Sequence, residues 1–142
     1  MERSSGAAPP RQSRANSAAA ARNSALLKVR VESAGPNASV VALTGELDLS
    51  TIPAVAGRLF HQLRMQAGVV VDLTRLSFID SSGIGLLIQA FRATDDGGKL
   101  HTVIAQSSQV ERVFRLAGID RSLPLFFERD AALAALNGGG AS

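Results

Sequence analysis

Asp80-Ser81-Ser82-Gly83 sets one carboxylate and two hydroxyls side by side at a point where the apolar pattern changes. Before it, Val69-Val70-Val71 and then Leu76, Phe78 and Ile79 form apolar steps of the kind found in a buried strand region. After it, Ile84, Leu87, Ile88 and Phe91 recur at i, i+3, i+4 and i+7, the core face of an α-helix. A helix start exposes backbone N–H groups that favour negative charge. Two chemistries fit this junction. Ser81 can act as the N-cap, its hydroxyl accepting from an N–H two or three residues on, a contact that stabilises by about 1 kcal/mol. Alternatively one hydroxyl can carry a phosphoryl group, which adds a charge of about −1.5 to −2 among donors that tolerate it. Asp80 would then repel the phosphate and leave an intensely negative surface over an unmoved backbone, which suits a switch that blocks a partner. Gly83 and Gly85 each cost the helix about 1 kcal/mol relative to alanine, so something is expected to approach the backbone closely there.

Gly45-Glu46-Leu47-Asp48 is the second candidate. It leaves the carboxyl end of an apolar strand, and parallel strands gather their carboxyl-end loops at one edge of a sheet. Glu46 and Asp48 are then either solvated acids ahead of a helix or an acidic docking edge beside Ser81. Other chemistries lack their parts. A Ser/His/Asp triad would need His61 or His101, and these fall within a helix and a strand rather than in the loops that carry Ser81. There is no G-x-S-x-G elbow and no G-x-x-x-x-G-K-[ST] loop. Two histidines without a cysteine make no zinc constellation, and Asp95-Asp96 ahead of Gly97-Gly98 reads as an exposed loop. No metal and no cofactor are expected.

The elements that must position these residues follow from the pattern. The chain has 142 residues, one domain's worth, of which 46% are hydrophobic and only six are aromatic, all Phe. Arg3, Arg11, Arg14 and Arg22 against Glu2 put the whole net charge of +3 into residues 1–25 and leave the remainder neutral. A neutral domain without Tyr or Trp is a poor nucleic-acid binder. No apolar run approaches the roughly 20 residues of a membrane span, and residues 1–25 lack the apolar core of a signal peptide. Those residues are expected to be a disordered basic tail. The domain is expected over 26–137, with a disordered Gly-rich end at 138–142.

Leu27, Val29 and Val31 alternate with polar residues, and Gly35-Pro36-Asn37 turns the chain into a second strand over 39–44, making an antiparallel hairpin. Ser50 or Thr51 caps a helix carrying Pro53, Ile52, Val55, Leu59 and Leu63. A third strand over 69–73 precedes the 81–91 helix, and a fourth spans 100–105. Ser108 with Glu111 forms a capping box for a helix that buries Val110, Val113, Phe114 and Ala117 and ends at Gly118. Leu125-Phe126-Phe127 is a short last strand, followed by a helix over 130–136. The expected fold is an α/β sandwich, a mixed and mainly parallel sheet of about five strands with about four helices.

With these residues in place, G-E-L-D at 45–48 and D-L-T-R-L-S-F-I-D-S-S-G-I-G-L-L at 72–87 resemble the STAS domain, and more narrowly the bacterial anti-sigma factor antagonists. Val110, Phe114, Gly118 and Ile119 resemble the family's third helix. The resemblance spans about 26–136. It implies a STAS-like sandwich and a cytoplasmic, non-enzymatic protein that binds an anti-sigma factor, itself a serine kinase with a histidine-kinase-like ATPase fold, and so frees a sigma factor. It implies that the kinase phosphorylates Ser81, with Ser82 the second choice, and that a PP2C-type phosphatase reverses this. The partner-binding residues it implies are Glu46, Asp48, Asp80, Ser81, Ser82, Gly83, Ile84 and Gly85. The alternatives are a constitutive STAS subunit of a transporter or stressosome-like sensory complex, and an enzyme using Ser81 as nucleophile. The oligomeric state stays open.

Overall fold

The computed structural model describes residues 26–94 and 99–141, with side chains through Leu136. The expected tail over 1–25 and the Asp95-Asp96-Gly97-Gly98 loop lie outside the described residues. Five strands form one sheet in the order β1-β2-β3-β4-β5. These are β1 (Leu27–Ser33), β2 (Ala38–Leu47), β3 (Gly68–Ile79), β4 (Leu100–Val103) and β5 (Leu125–Phe126). Strand β1 pairs antiparallel with β2, and every other pair is parallel. The helices are α1 (Ile52–Met65), α2 (Ser81–Arg92), α3 (Gln109–Ala117) and α4 (Arg129–Ala141), with a 3-10 turn over Ile119–Arg121. The expected α/β sandwich, with its antiparallel hairpin and four helices, is the observed one.

Two boundaries differ from the sequence reading in ways that matter for the site. The strand expected to end at Leu73 runs unbroken to Ile79, and β2 continues through Gly45-Glu46-Leu47. The polar residues Asp72, Thr74 and Arg75 suggested a break. Instead the β2–β3 ladder absorbs them with register shifts between Ala42 and Thr44 and between Gly45 and Glu46. A bulge adds a residue to one strand without ending its pairing. Gly45 has φ 115°, and a Cβ there would drive into the carbonyl oxygen of Leu26. That conformation is open to glycine and strained for other residues. Other details held. Ser108 Oγ accepts from the Glu111 N–H at 3.1 Å, and Gly118 ends α3 with φ 75°. Ala117, expected in the buried stripe of α3, is exposed because that stripe stops at Phe114.

The two faces of the sheet are covered unequally. Helices α1, α2 and α3 pack through Val55, Leu59, Ile84, Leu87, Val110 and Phe114 against Val41, Leu43, Val69, Val71 and Ile79. Among the described residues the other face is covered by α4 alone, with Ala132, Leu133 and Leu136 over Val40, Val70 and Val103. Alternation along β3 explains its apolar run, since both faces of Val69-Val70-Val71 are buried. At the head of α4, Arg129 donates from Nε and Nη2 to Asp72 Oδ2 at 2.9 and 2.7 Å, and from Nη1 to Glu32 Oε1 at 2.9 Å. One guanidinium thus ties α4 to β3 and β1. Burial pushes the Asp72 carboxyl up, but hydrogen bonds from Thr74 and Arg129 outweigh it and hold it below the ordinary carboxylate range. Glu32 is held down in the same direction, first by its hydrogen bond from Arg129.

A carboxyl depressed in the folded state contributes stability that is present above its unfolded pKa and is lost as pH falls through the folded one. The contribution of Asp72 is therefore complete at neutral pH and fades below about pH 4. Asp72→Asn is expected to lower the unfolding free energy by about 2 kcal/mol at pH 7, between the surface-pair and buried-pair ranges because Arg129 is one-third exposed. It is also expected to flatten the acid limb, as read by urea denaturation between pH 7 and 3.

Candidate functional site

The site is built where β2 and β3 end side by side. Their parallel ladder closes with Leu47 opposite Ile79, and the Asp80 N–H donates to the Leu47 carbonyl at 3.2 Å. The chain then diverges, from Leu47 into the Asp48 turn and from Ile79 into Asp80 and α2. The two sequence motifs, 33 positions apart from Leu47 to Asp80, are thereby neighbours.

Asp80, rather than Ser81, is the N-cap of α2. Its Oδ1 accepts from the N–H groups of Ser82 at 2.9 Å and Gly83 at 3.1 Å, with Asp80 in extended backbone. Aspartate is as good a cap as serine and adds a negative charge at the positive end of the helix dipole. Ser81 is consequently the first helical residue. It is exposed, and its hydroxyl makes no hydrogen bond among the described residues. Ser82 beside it is half-buried.

Asp48 organises the facing turn. Its Oδ1 accepts from the Ser50 hydroxyl at 2.7 Å, the Ser50 N–H at 3.0 Å and the Thr51 N–H at 3.2 Å. The Ser50 hydroxyl bond is the largest influence holding this carboxyl below the ordinary range, against the opposing effect of desolvation. Thr51, fully buried, donates from its hydroxyl to the Glu46 carbonyl at 2.8 Å and accepts from the Asp48 N–H at 3.0 Å. Thr51 stands at the N-cap of α1 without a side-chain capping bond into it, and Pro53 sits in the first turn. Asp48 is thus ionised and partly exposed, but fixed by its own turn.

The two glycines of α2 differ. A Cβ on Gly83 would lie 2.7 Å from Ile79 Cγ1, 2.9 Å from Leu47 Cγ and 3.0 Å from the Leu47 carbonyl oxygen. The body that approaches this backbone is the chain itself, since α2 must seat on the strand ends. A Cβ on Gly85 would meet nothing within 4 Å, and Gly85 is exposed. Gly83 and Ile84 face the core. Of the residues expected to meet a partner, those with surface are Glu46, Asp48, Asp80, Ser81, Ser82 and Gly85.

Two apolar residues join this edge that the sequence reading did not assign to it. Leu49 follows Asp48 and is 74% exposed, and Phe78, paired with Glu46 across the ladder, is 40% exposed. Adjacent strand residues point to opposite faces, so Phe78 and Ile79 cannot both enter one core. That parity was available in the sequence, but the bulged stretch before it hid the phase. The histidines lie elsewhere. His61 is on the exposed side of α1. His101 Nδ1 is 3.0 Å from the Ala132 carbonyl oxygen under α4, with its ring 4.9 Å from that of Phe126. Neither stands on the elements that carry Ser81. Among the described residues no group of His, Asp and Glu could hold a metal ion, and no helix is long and apolar enough to cross a membrane.

A family model, the STAS domain, matches residues 29–132. The anti-sigma F factor antagonist of Paenibacillus polymyxa is 28% identical over 99 residues, covering 68% of this chain and 85% of that protein. The anti-sigma-B factor antagonist of Staphylococcus aureus is 27% identical over 81 residues, covering 56% and 74%. The crystal structure of an anti-sigma factor antagonist from Mycobacterium paratuberculosis superimposes with a TM-score of 0.71 at 26% identity, covering 78% of this chain and 94% of that one.

The local geometry sets three stabilities apart. Gly83→Ala is expected to destabilise by about 1–3 kcal/mol, because the new methyl overpacks against Leu47 and Ile79. Gly85→Ala is expected to stabilise by up to about 1 kcal/mol, the ordinary gain of alanine in a helix. Asp80→Ala is expected to lose about 1–2 kcal/mol with the cap. Chemical denaturation of the three variants against the parent chain measures all three.

Proposed function

The chain belongs to the STAS domain family, and we propose that it is an anti-sigma factor antagonist: a non-enzymatic, cytoplasmic protein that binds an anti-sigma factor and is switched off by phosphorylation of Ser81. The partner is an anti-sigma factor that is also a serine kinase with a histidine-kinase-like ATPase fold. A PP2C-type phosphatase restores the binding form. The names of the similar proteins support the antagonist role. The switch is supported by one observation above the others. The Ser81 hydroxyl is exposed and carries no capping duty, because Asp80 holds the cap.

A kinase can therefore reach Ser81 Oγ without unwinding α2. In the transfer, a bond forms from Oγ to the γ-phosphorus of ATP as the bond to the β–γ bridging oxygen breaks. ADP leaves, and the hydroxyl proton passes to a base of the kinase. The product phosphate sits at the first turn of a helix, where the dipole favours it, beside Asp80 and the ionised Asp48, which repel it. The fold keeps its cap and core while the neutral hydroxyl becomes a dianion and the surface more negative. A partner surface matched to a neutral hydroxyl then meets a dianion, and like-charge or desolvated contacts of this kind cost several kcal/mol. Leu49 and Phe78 supply the apolar contact of the same surface, and Gly85 leaves α2 bare where a partner's backbone lies close.

Ser81→Ala is expected to stay bound to the cognate kinase in the presence of ATP, while the parent chain is released. Ser81→Asp is expected to bind at least about tenfold more weakly. Pull-down with and without ATP, followed by intact-mass measurement, reads both effects. If Ser81 stays unmodified and the complex persists with ATP, the protein is a constitutive STAS subunit of a larger complex. Phosphate found on Ser82 moves the switch by one residue.

A further inference from the structure

On the face of the sheet away from α1, α2 and α3, helix α4 covers only the half built on Val40, Val70 and Val103. The other half is a hollow of about 470 Å³, within the range of small-ligand sites. Ala42 contributes to its floor. Lys28 and Arg30 of β1 and Arg75 of β3 line it, all three exposed, and Thr44 of β2 adds a hydroxyl. The ladder explains the grouping. Lys28 pairs with Thr44, Arg30 with Ala42, and Thr44 with Arg75. Three cations from two stretches of sequence thus converge on one concavity, which the paired Asp72 and Arg129 also line.

The acids nearby are already engaged. Asp72 Oδ2 takes two hydrogen bonds from Arg129, and its Oδ1 takes two from Thr74. Glu32 is shared between Arg129 and Arg30. Lys28 and Arg75 have no ion-pair partner among the described residues. The local balance is therefore positive in a domain whose ionisable residues from 26 onward sum to zero.

We propose that this hollow binds a small molecule carrying two or more negative charges, as phosphates or carboxylates. Lys28 and Arg75 bind its anionic groups directly, Arg30 adds a third donor at the rim, and the Thr44 hydroxyl donates to an oxygen between them. Ala42 provides an apolar patch for the ligand's body. The site is separate from Ser81. Arg75 and Ser81 are six residues apart along β3 and its exit, roughly 20 Å at strand rise, so a phosphate on Ser81 does not occupy the hollow. The proposal does not depend on the Ser81 switch.

The test is titration of the full, uniformly labelled chain with inorganic pyrophosphate and, in parallel, with citrate, followed by amide NMR and calorimetry. The expected result is saturable one-to-one binding, with shifts concentrated on Lys28, Thr44, Thr74 and Arg75 and affinity falling as salt rises. A response to pyrophosphate alone assigns phosphates to the ligand, and a response to both anions assigns charge alone. Lys28→Gln and Arg75→Gln, exposed substitutions that leave the core untouched, are expected to weaken binding about tenfold each. Arg121→Gln, on the 3-10 turn, is expected to leave it unchanged. The proposal is overturned if neither anion saturates, if shifts scatter over surface cations or gather at Ser82 and Gly83, or if the two hollow variants bind like the parent. It is also overturned if an oligoglutamate peptide binds this face while the small anions do not, because the face is then a peptide groove.

Discussion

Strand β3 pairs in parallel with β2 along nearly its whole length, from Gly68 opposite Ala38 to Ile79 opposite Leu47. The ladder survives two register shifts, one of which needs Gly45 in a conformation that other residues rarely adopt. Because it survives them, both strands reach the same edge of the sheet and leave it together. The Asp80 N–H then bonds to the Leu47 carbonyl, and α2 begins on top of the joined ends. Gly83 is the steric condition for this seating, since Leu47 and Ile79 occupy the space a side chain would need.

This arrangement separates two tasks that the local sequence merges. A cap must hold a hydrogen-bonding group inward against the first helical N–H groups. A modifiable hydroxyl must face outward. With Asp80 inward and Ser81 outward, one can change without the other. In the proposed switch the helix dipole favours a phosphate on Ser81, and the charge of Asp80 opposes it. The same economy appears on the far face of the sheet, where Arg129 pairs with Asp72 and Glu32 and fixes α4, leaving Lys28 and Arg75 to solvent.

Much of the fold was legible because its elements are signalled by residues close in sequence. The alternation at Leu27, Val29 and Val31, the turn at Gly35, the Ser108 and Glu111 pair and the Gly118 stop each act over a few residues, and each stands where the pattern put it. The failures share a cause. Asp72, Thr74 and Arg75 read as a break because the charge of Asp72 is met by Arg129, 57 positions away, and the stretch after it is carried by a bulge against β2. Gly83 and Gly85 looked alike because a glycine's reason lies in what surrounds it. Phe78 looked like core because its phase depends on the bulge before it.

By itself, then, the sequence determined the order and type of the elements and the mixed sheet, and it singled out residues 45–48 and 80–85 as the candidate site. These follow from periodicity and from capping chemistry, which are local free energies. Only the tertiary structure decided that Asp80 and not Ser81 is the cap, that Gly83 serves the core while Gly85 faces out, and that Lys28, Arg30 and Arg75 share one hollow. Each of these depends on register and on contacts between residues far apart in the chain. Such contacts are set by how the two faces of the sheet are filled, and no spacing within a single segment encodes that.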